Sequence, residues 1–264
     1  ERLSERLGAL ERHPHAAPTT LLDLSLNLLT VAGGSSASDS VLGNLQGGGH
    51  DPKRSGFTLQ NTELSLSGAV DPFFSAEAHV ILFRDEPSGE TVVELEEVFA
   101  RTTALPAGLE AKVGLYLMEF GRFNPMHPHA WQFVDQSLII TRIFGGDGQR
   151  TPGARLLYSL PTSWLSEMTV GVMDANGETA PSFYSNSEVG AIAGRPYVAV
   201  DGSTFSDLLY QARWTNAFDL PDTLVKFGLS LAIGRNAAGK TTNTTLTGAD
   251  LALRWHPAGG QRGW

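Results

Sequence analysis

The chain has 264 residues, 41% apolar and only 18% charged, with 29 glycines and no cysteine. That length suits one large domain or two small ones, and the missing thiols exclude a disulfide framework and any thiolate-bound metal. A formal charge of −9 and a pI near 5.2 argue against nucleic acid as a main partner, because a phosphate backbone calls for a basic face.

Residues 1–12, ERLSERLGALER, set Leu3, Leu7 and Leu10 along one stripe of a short helix. Residues 1–19 are therefore read as a helical and linker segment, either a terminal helix or the end of a coiled coil that joins subunits. The pair His13 and His15 in the linker is taken as incidental. The sequence opens on Glu1 rather than Met, so a signal peptide is expected to have been removed or not included. No apolar run is long enough for a transmembrane helix, but a barrel strand hides its lipid face in alternation.

Residues 20–264 read as one β-barrel domain whose strands have a period of two. Leu22, Leu24, Leu26 and Leu28 alternate with Asp23, Ser25 and Asn27. In 73–83, Phe74, Ala76, Ala78, Val80 and Leu82 oppose Ser75, Glu77 and His79. The same pattern returns in 109–118, 224–234 and 248–256, and weaker strands fit 56–70, 91–104, 153–160, 165–174 and 206–219. Phe57 and Leu59 are odd-numbered whereas Leu64 and Leu66 are even, which predicts a β-bulge near Asn61–Thr62. The count is ten strands with no internal helix.

The connections alternate strictly between short, proline-marked turns (70–73, 105–108, 160–164, 220–223) and mostly long, polar loops (32–55, 84–90, 119–152, 175–205, 235–245). Proline belongs at strand ends because it presets a turn and cannot donate to a ladder. Short turns at one end and long loops at the other predict a transmembrane, antiparallel, up-and-down β-barrel of at least ten strands, its turns periplasmic and its loops extracellular. Phe73, Phe74, Trp164, Trp214, Phe218 and Trp255 lie near strand ends, as interfacial girdles require. HPAG at 256–259 reads as one more turn, so the barrel is open to further strands after it.

GRNAAGKT at 234–241 fits the phosphate-loop pattern letter for letter. A working phosphate loop opens a helix whose N–H groups hold the phosphates, but here TTNTTLT follows, which is strand-like. It is read as a hairpin loop, and no nucleotide is expected.

Residues 119–135, EFGRFNPMHPHAWQFVD, carry His127 and His129, which with Met126 and Asp135 make a candidate site for zinc, copper or nickel. With no nucleophile elbow and no separated acid/base pair, no enzymatic activity is expected. The polar face of the strands supplies candidate pore-lining charges: Glu63, Glu77, Glu94, Glu96, Glu110 and Asp250 against Arg101, Lys112, Arg155, Arg213, Lys226 and Arg254. Facing rows of opposite sign set ion selectivity, or pair to stiffen the wall.

At TVVELEEVFARTTALPAGLEAKVGLYLMEFGRFNPMHPHAWQFVDQSLI, residues 91–139, the chain resembles bacterial outer-membrane porin-like barrels often labelled zinc-regulated TonB-dependent receptors. The segment 57–74 is similar to the same family, and the likeness covers roughly 56–175. It implies an outer-membrane barrel that passes small solutes, with His127, His129 and Asp135 as the positions to test. A TonB-dependent receptor needs an N-terminal plug and about 22 strands, so the expectation is a passive pore for small hydrophilic solutes or ions. The alternatives are a scaffold barrel with a plugged lumen in an envelope complex, and zinc uptake through a His-containing extracellular loop. By analogy with larger porins, residues 1–12 would join three copies, and lipid is the expected surrounding.

Overall fold

The computed structural model describes residues 22–45, 47–84, 89–177, 179–184, 191–192, 195–196, 204–239 and 241–255. The terminal helix, the HPAG turn and the last residue, Trp264, lie outside them. Ten strands form one antiparallel sheet: β1 (Asp23–Gly33), β2 (Gly56–Ala69), β3 (Phe74–Arg84), β4 (Thr91–Thr102), β5 (Leu109–Leu117), β6 (Arg150–Ser159), β7 (Leu165–Met173), β10 (Leu209–Leu220), β11 (Thr223–Arg235) and β12 (Asn243–Trp255). A separate two-residue hairpin, β8 (Ala191–Ile192) and β9 (Arg195–Pro196), lies between β7 and β10. Each long strand pairs with its neighbours in sequence, so the topology is up-and-down throughout.

The expected strands are all present, and the short turns fall where proline marks them. The Asp71 carboxylate closes one by accepting from the Phe73 and Phe74 N–H groups at 2.7 and 2.8 Å. Pro221 and Asp222 alone separate the paired residues Leu220 and Thr223. The phosphate-like stretch runs from the end of β11 into the loop to β12, two antiparallel partners in continuous register, so a strand and not a helix follows it.

Two expectations need correction. Helices do occur, as single short segments within loops: α1 (Asp39–Leu45) and α2 (Leu138–Phe144). Each is seven residues, too short for a recurring stripe, and α2 is held by burial of Ile140 and Phe144, four residues apart. The second correction is closure. Among the described residues β1 and β12 each pair on one side only, so the sheet is open and not a closed barrel. Alternation fixes which way side chains point, but it does not determine whether the first strand meets the last.

The two faces differ in chemistry. One presents Leu24, Leu26, Leu28, Val93, Val113, Val170, Leu251 and Leu253 outward, between 48 and 67% exposed. The other buries Asn61, Glu63, Glu96, Glu97, Arg155, Thr169, Gln211 and Ser230. The segment between β5 and β6 folds over this polar face. Its Gly121 N–H donates to Ser230 Oγ on β11 at 3.0 Å, and Gln60 on β2 donates to its Val134 carbonyl at 2.9 Å. Phe120 lies against Gly248 on β12, where any side chain would meet the ring. A small core then joins Phe120, Ile140 and Phe144 of the segment to Tyr116, Met173, Phe183, Leu209 and Ala232.

Two β-bulges tune the polar face. Between β1 and β2 the register jumps from Leu29–Asn61 to Thr30–Leu59, so Gln60 and Asn61 both turn inward. This is the predicted bulge, one residue earlier than expected. Between β3 and β4 it jumps from His79–Glu97 to Val80–Leu95, and Glu96 and Glu97 both turn inward.

Candidate functional site

The second bulge sits where the inserted segment touches the wall. Glu63 from β2, His79 from β3, and Glu96 and Glu97 from β4 converge there on His127 and His129. A single-turn 3-10 helix at Pro128–Ala130 follows His127 and carries His129, and proline at its start stiffens the presentation of both rings.

Glu63 is the hub. Its Oε1 lies 3.0 Å from His79 Nδ1, and its Oε2 lies 3.2 Å from His127 Nδ1 and 2.8 Å from His129 Nδ1. The Glu63 side chain is fully buried, so bulk solvent does not reach these oxygens. His127 Nε2 lies 2.6 Å from Glu97 Oε2, while the Leu117 N–H donates to Glu97 Oε1 at 2.7 Å. Glu96 Oε2 stands 3.0 Å from His127 Nδ1. The rings of His79 and His127 are 4.6 Å apart between centroids, and those of His127 and His129 are 5.7 Å apart. Burial opposes protonation of His127, but the carboxylates of Glu63, Glu96 and Glu97 set against its ring outweigh it and hold the imidazole pKa well above the ordinary histidine range.

Of the expected metal set, His127 and His129 stand in this cluster and Asp135 does not. Six residues beyond His129 the chain has returned to the surface. Asp135 is exposed there, beside Phe123, Trp131 and Phe133 in a shallow groove. Sequence reading missed His79, Glu97 and Arg150 as site residues. For His79 a signal was present, since it alternates onto the polar face with Ser75 and Glu77.

The candidate lining charges all face inward, mostly as pairs. Arg101 meets Glu77 at 2.6 Å, and Arg155 meets Glu110 at 2.8 Å and Glu119 at 2.6 Å. Arg213 grips Asp250 with two bonds of 2.8 and 3.0 Å, and Arg150 contacts Glu94 and Glu96. Lys112 lies 4.2 Å above the Phe99 ring, and Lys226 and Arg254 are half-buried on the same face.

No known family profile matches the chain, and no solved structure matches it. A protein of Aquifex aeolicus (strain VF5), described only as an uncharacterized protein, is 31% identical over 246 residues. The match takes in 88% of this chain and 49% of that protein, so the chain spans about half the length of the curated relative it matches.

Proposed function

We propose that the chain is the strand-built wall of a bacterial outer-membrane pore, passing small hydrophilic solutes or ions through a lumen narrowed by residues 118–149. The observation that carries this reading is the inverted polarity of the sheet. Leu24, Leu26, Leu28, Leu251 and Leu253 are about two-thirds exposed while Glu63, Glu96 and Asn61 are buried. Leaving such a side chain in water forfeits roughly 1.5–3 kcal/mol relative to burial. Summed over the face that is tens of kcal/mol, and hydrocarbon recovers it. Trp164 and Phe218, stacked at 5.8 Å, sit with Phe73, Phe74 and Trp255 along the short-turn rim, where interfacial aromatics belong. Lipid also demands that the open edges of β1 and β12 be paired. In this reading further strands complete the wall, from the rest of a longer polypeptide or from other copies. The resemblance over 91–139 to porin-like barrels points the same way.

The second reading, a scaffold barrel with a plugged lumen, draws on the paired inner charges and on the apolar contacts of Phe120, Ile140 and Phe144. Single-channel recording in planar bilayers separates the two. The pore reading expects discrete open steps whose reversal potential reports the lining charges. Silent bilayers with insertion confirmed by protease protection would reject it in favour of the scaffold.

A further inference from the structure

We propose that Glu63 and His79 on the wall and His127 on the inserted segment form a binding site for a divalent transition-metal ion of the zinc class, which ties the segment to the sheet. One ligand atom from each of the three residues lies within 4.8 Å of the other two. Around a tetrahedral zinc with bonds of about 2.0–2.1 Å, neighbouring ligand atoms stand roughly 3.3 Å apart. Glu63 meets His79 through Oε1 at 3.0 Å and His127 through Oε2 at 3.2 Å, so each histidine nitrogen already stands at nearly that spacing from one oxygen of the same carboxylate.

The tautomer of His127 makes the stronger argument. Glu97 is fixed by the Leu117 N–H and takes the Nε2 proton of His127, the carboxylate–imidazole arrangement that orients metal-bound histidines. In the loaded site His127 is neutral and offers its Nδ1 lone pair between Glu63 Oε2 and Glu96 Oε2, where the ion takes the place of the proton that the ring otherwise holds. Acceptors facing acceptors at 3 Å repel unless a cation lies among them. Glu96 is the independent sign of that cation. Its side chain is only 4% exposed, and neither its Oε2 nor His127 Nδ1 makes a hydrogen bond of normal geometry.

Charge and donor type narrow the ion. Among the described residues five carboxylates (Glu63, Glu77, Glu94, Glu96 and Glu97) gather with three fixed cations, Arg101, Lys112 and Arg150. Once His79 and His127 give up their protons as ligands, two negative charges are left for a dication. Mixed imidazole and carboxylate donors suit zinc and its neighbours, whereas calcium and magnesium take oxygen alone. Three protein ligands leave a fourth position on the side of Glu96 and His129, the open geometry of an ion that exchanges.

The test is calorimetric titration of zinc chloride into the chelator-stripped chain in detergent micelles. One ion per chain at micromolar affinity or tighter is expected. His79→Gln and His127→Gln should each weaken it at least tenfold, and Asp135→Asn should leave it unchanged. In case a variant misfolds, X-ray absorption of the zinc-loaded wild type gives a second readout: a nitrogen and oxygen shell at about 2.0 Å with imidazole scattering. No saturable uptake would overturn the site and leave a proton as the cation on His127. Uptake undiminished in His79→Gln, or a spectrum without imidazole, would overturn it equally. The site does not rest on the pore reading, because titration in micelles needs no conductance. A silent bilayer with one bound zinc would reject the pore alone, and conductance without zinc uptake would reject the site alone.

Discussion

Phe120 is the apolar anchor that fastens the inserted segment to the far side of the sheet, and Phe120→Ala should release it. The ring is 6% exposed, packs edge-on against Phe144 at 5.2 Å, and covers Gly248 on β12. Burying a phenylalanine removes about 150–250 Å² from water, worth about 4–6 kcal/mol at 25 cal/mol per Å². Truncations of this kind cost about 3–5 kcal/mol. If that cost falls on the docked state, the equilibrium for local opening rises by a factor of roughly 10² to 4 × 10³, at one decade per 1.4 kcal/mol. Hydrogen exchange of the Gly121 amide, which Ser230 Oγ accepts at 3.0 Å, reads this opening directly. Protection there should fall by about that factor while β6 and β7 amides keep theirs. Equal loss in every strand would mean that Phe120 supports the whole fold. No loss at Gly121 would mean that the ring does not hold the segment, and the docking argument would fail.

The outer face is open to an equally sharp test. Val170 in the middle of β7 is 48% exposed, and Val170→Arg should destabilise vesicle-inserted protein by about 2–4 kcal/mol in urea titrations; a change within about 0.5 kcal/mol would mean the face meets water. Gly114 has φ +140°, and an added Cβ would lie 2.2 Å from the Val98 carbonyl oxygen. Gly114→Ala should therefore cost about 2–5 kcal/mol in the same titration, and an unchanged midpoint would show that β5 is not held at that approach. Asp51 accepts from the Gly48 and Gln136 N–H groups and so joins the β1–β2 loop to the inserted segment. Burial, outweighing those bonds, raises its pKa above the ordinary aspartate value. A raised acid binds its proton more tightly when folded, so this docking is strongest in acid and weakens as pH climbs through the folded pKa. Exchange at Gln136 should follow that curve in the wild type and lose the dependence in Asp51→Asn; an unaltered profile would remove Asp51 as its source.

The strands were legible because each has two chemically different faces. Leu24, Leu26 and Leu28 alternate with Ser25 and Asn27 for the same reason that they end up exposed opposite a polar interior. The first bulge was legible too, since an extra residue shifts the parity of every later position, from Leu59 to Leu64. The second bulge was hidden because ELEE puts glutamate at both 96 and 97, and one polar residue beside another changes no pattern. The site was half legible. His127 and His129 advertise themselves by spacing, but their partners Glu63 and His79 lie 64 and 48 residues before His127, and only strand register brings them near. Closure was not legible at all.

The bulges also explain why the site is where it is. Without an extra residue in β4, an inward Glu97 would force Glu96 outward among Leu95 and Val98, and only one carboxylate could meet the inserted segment. The register shift places both inward, so that one holds His127 Nε2 while the other faces Nδ1. The bulge in β2 likewise resets parity just before Glu63, keeping it inward while Phe57 and Leu59 stay on the apolar side. A sheet that must show hydrocarbon on one face cannot spend outward positions on charge. Local insertions are how it concentrates charge on the other face without breaking alternation elsewhere. Three wall carboxylates and an imidazole then await a pair of histidines that reach them only when the segment is folded in. On this geometry, segment position and cation occupancy are one equilibrium, and whatever cation sits against His127 favours the docked segment by mass action.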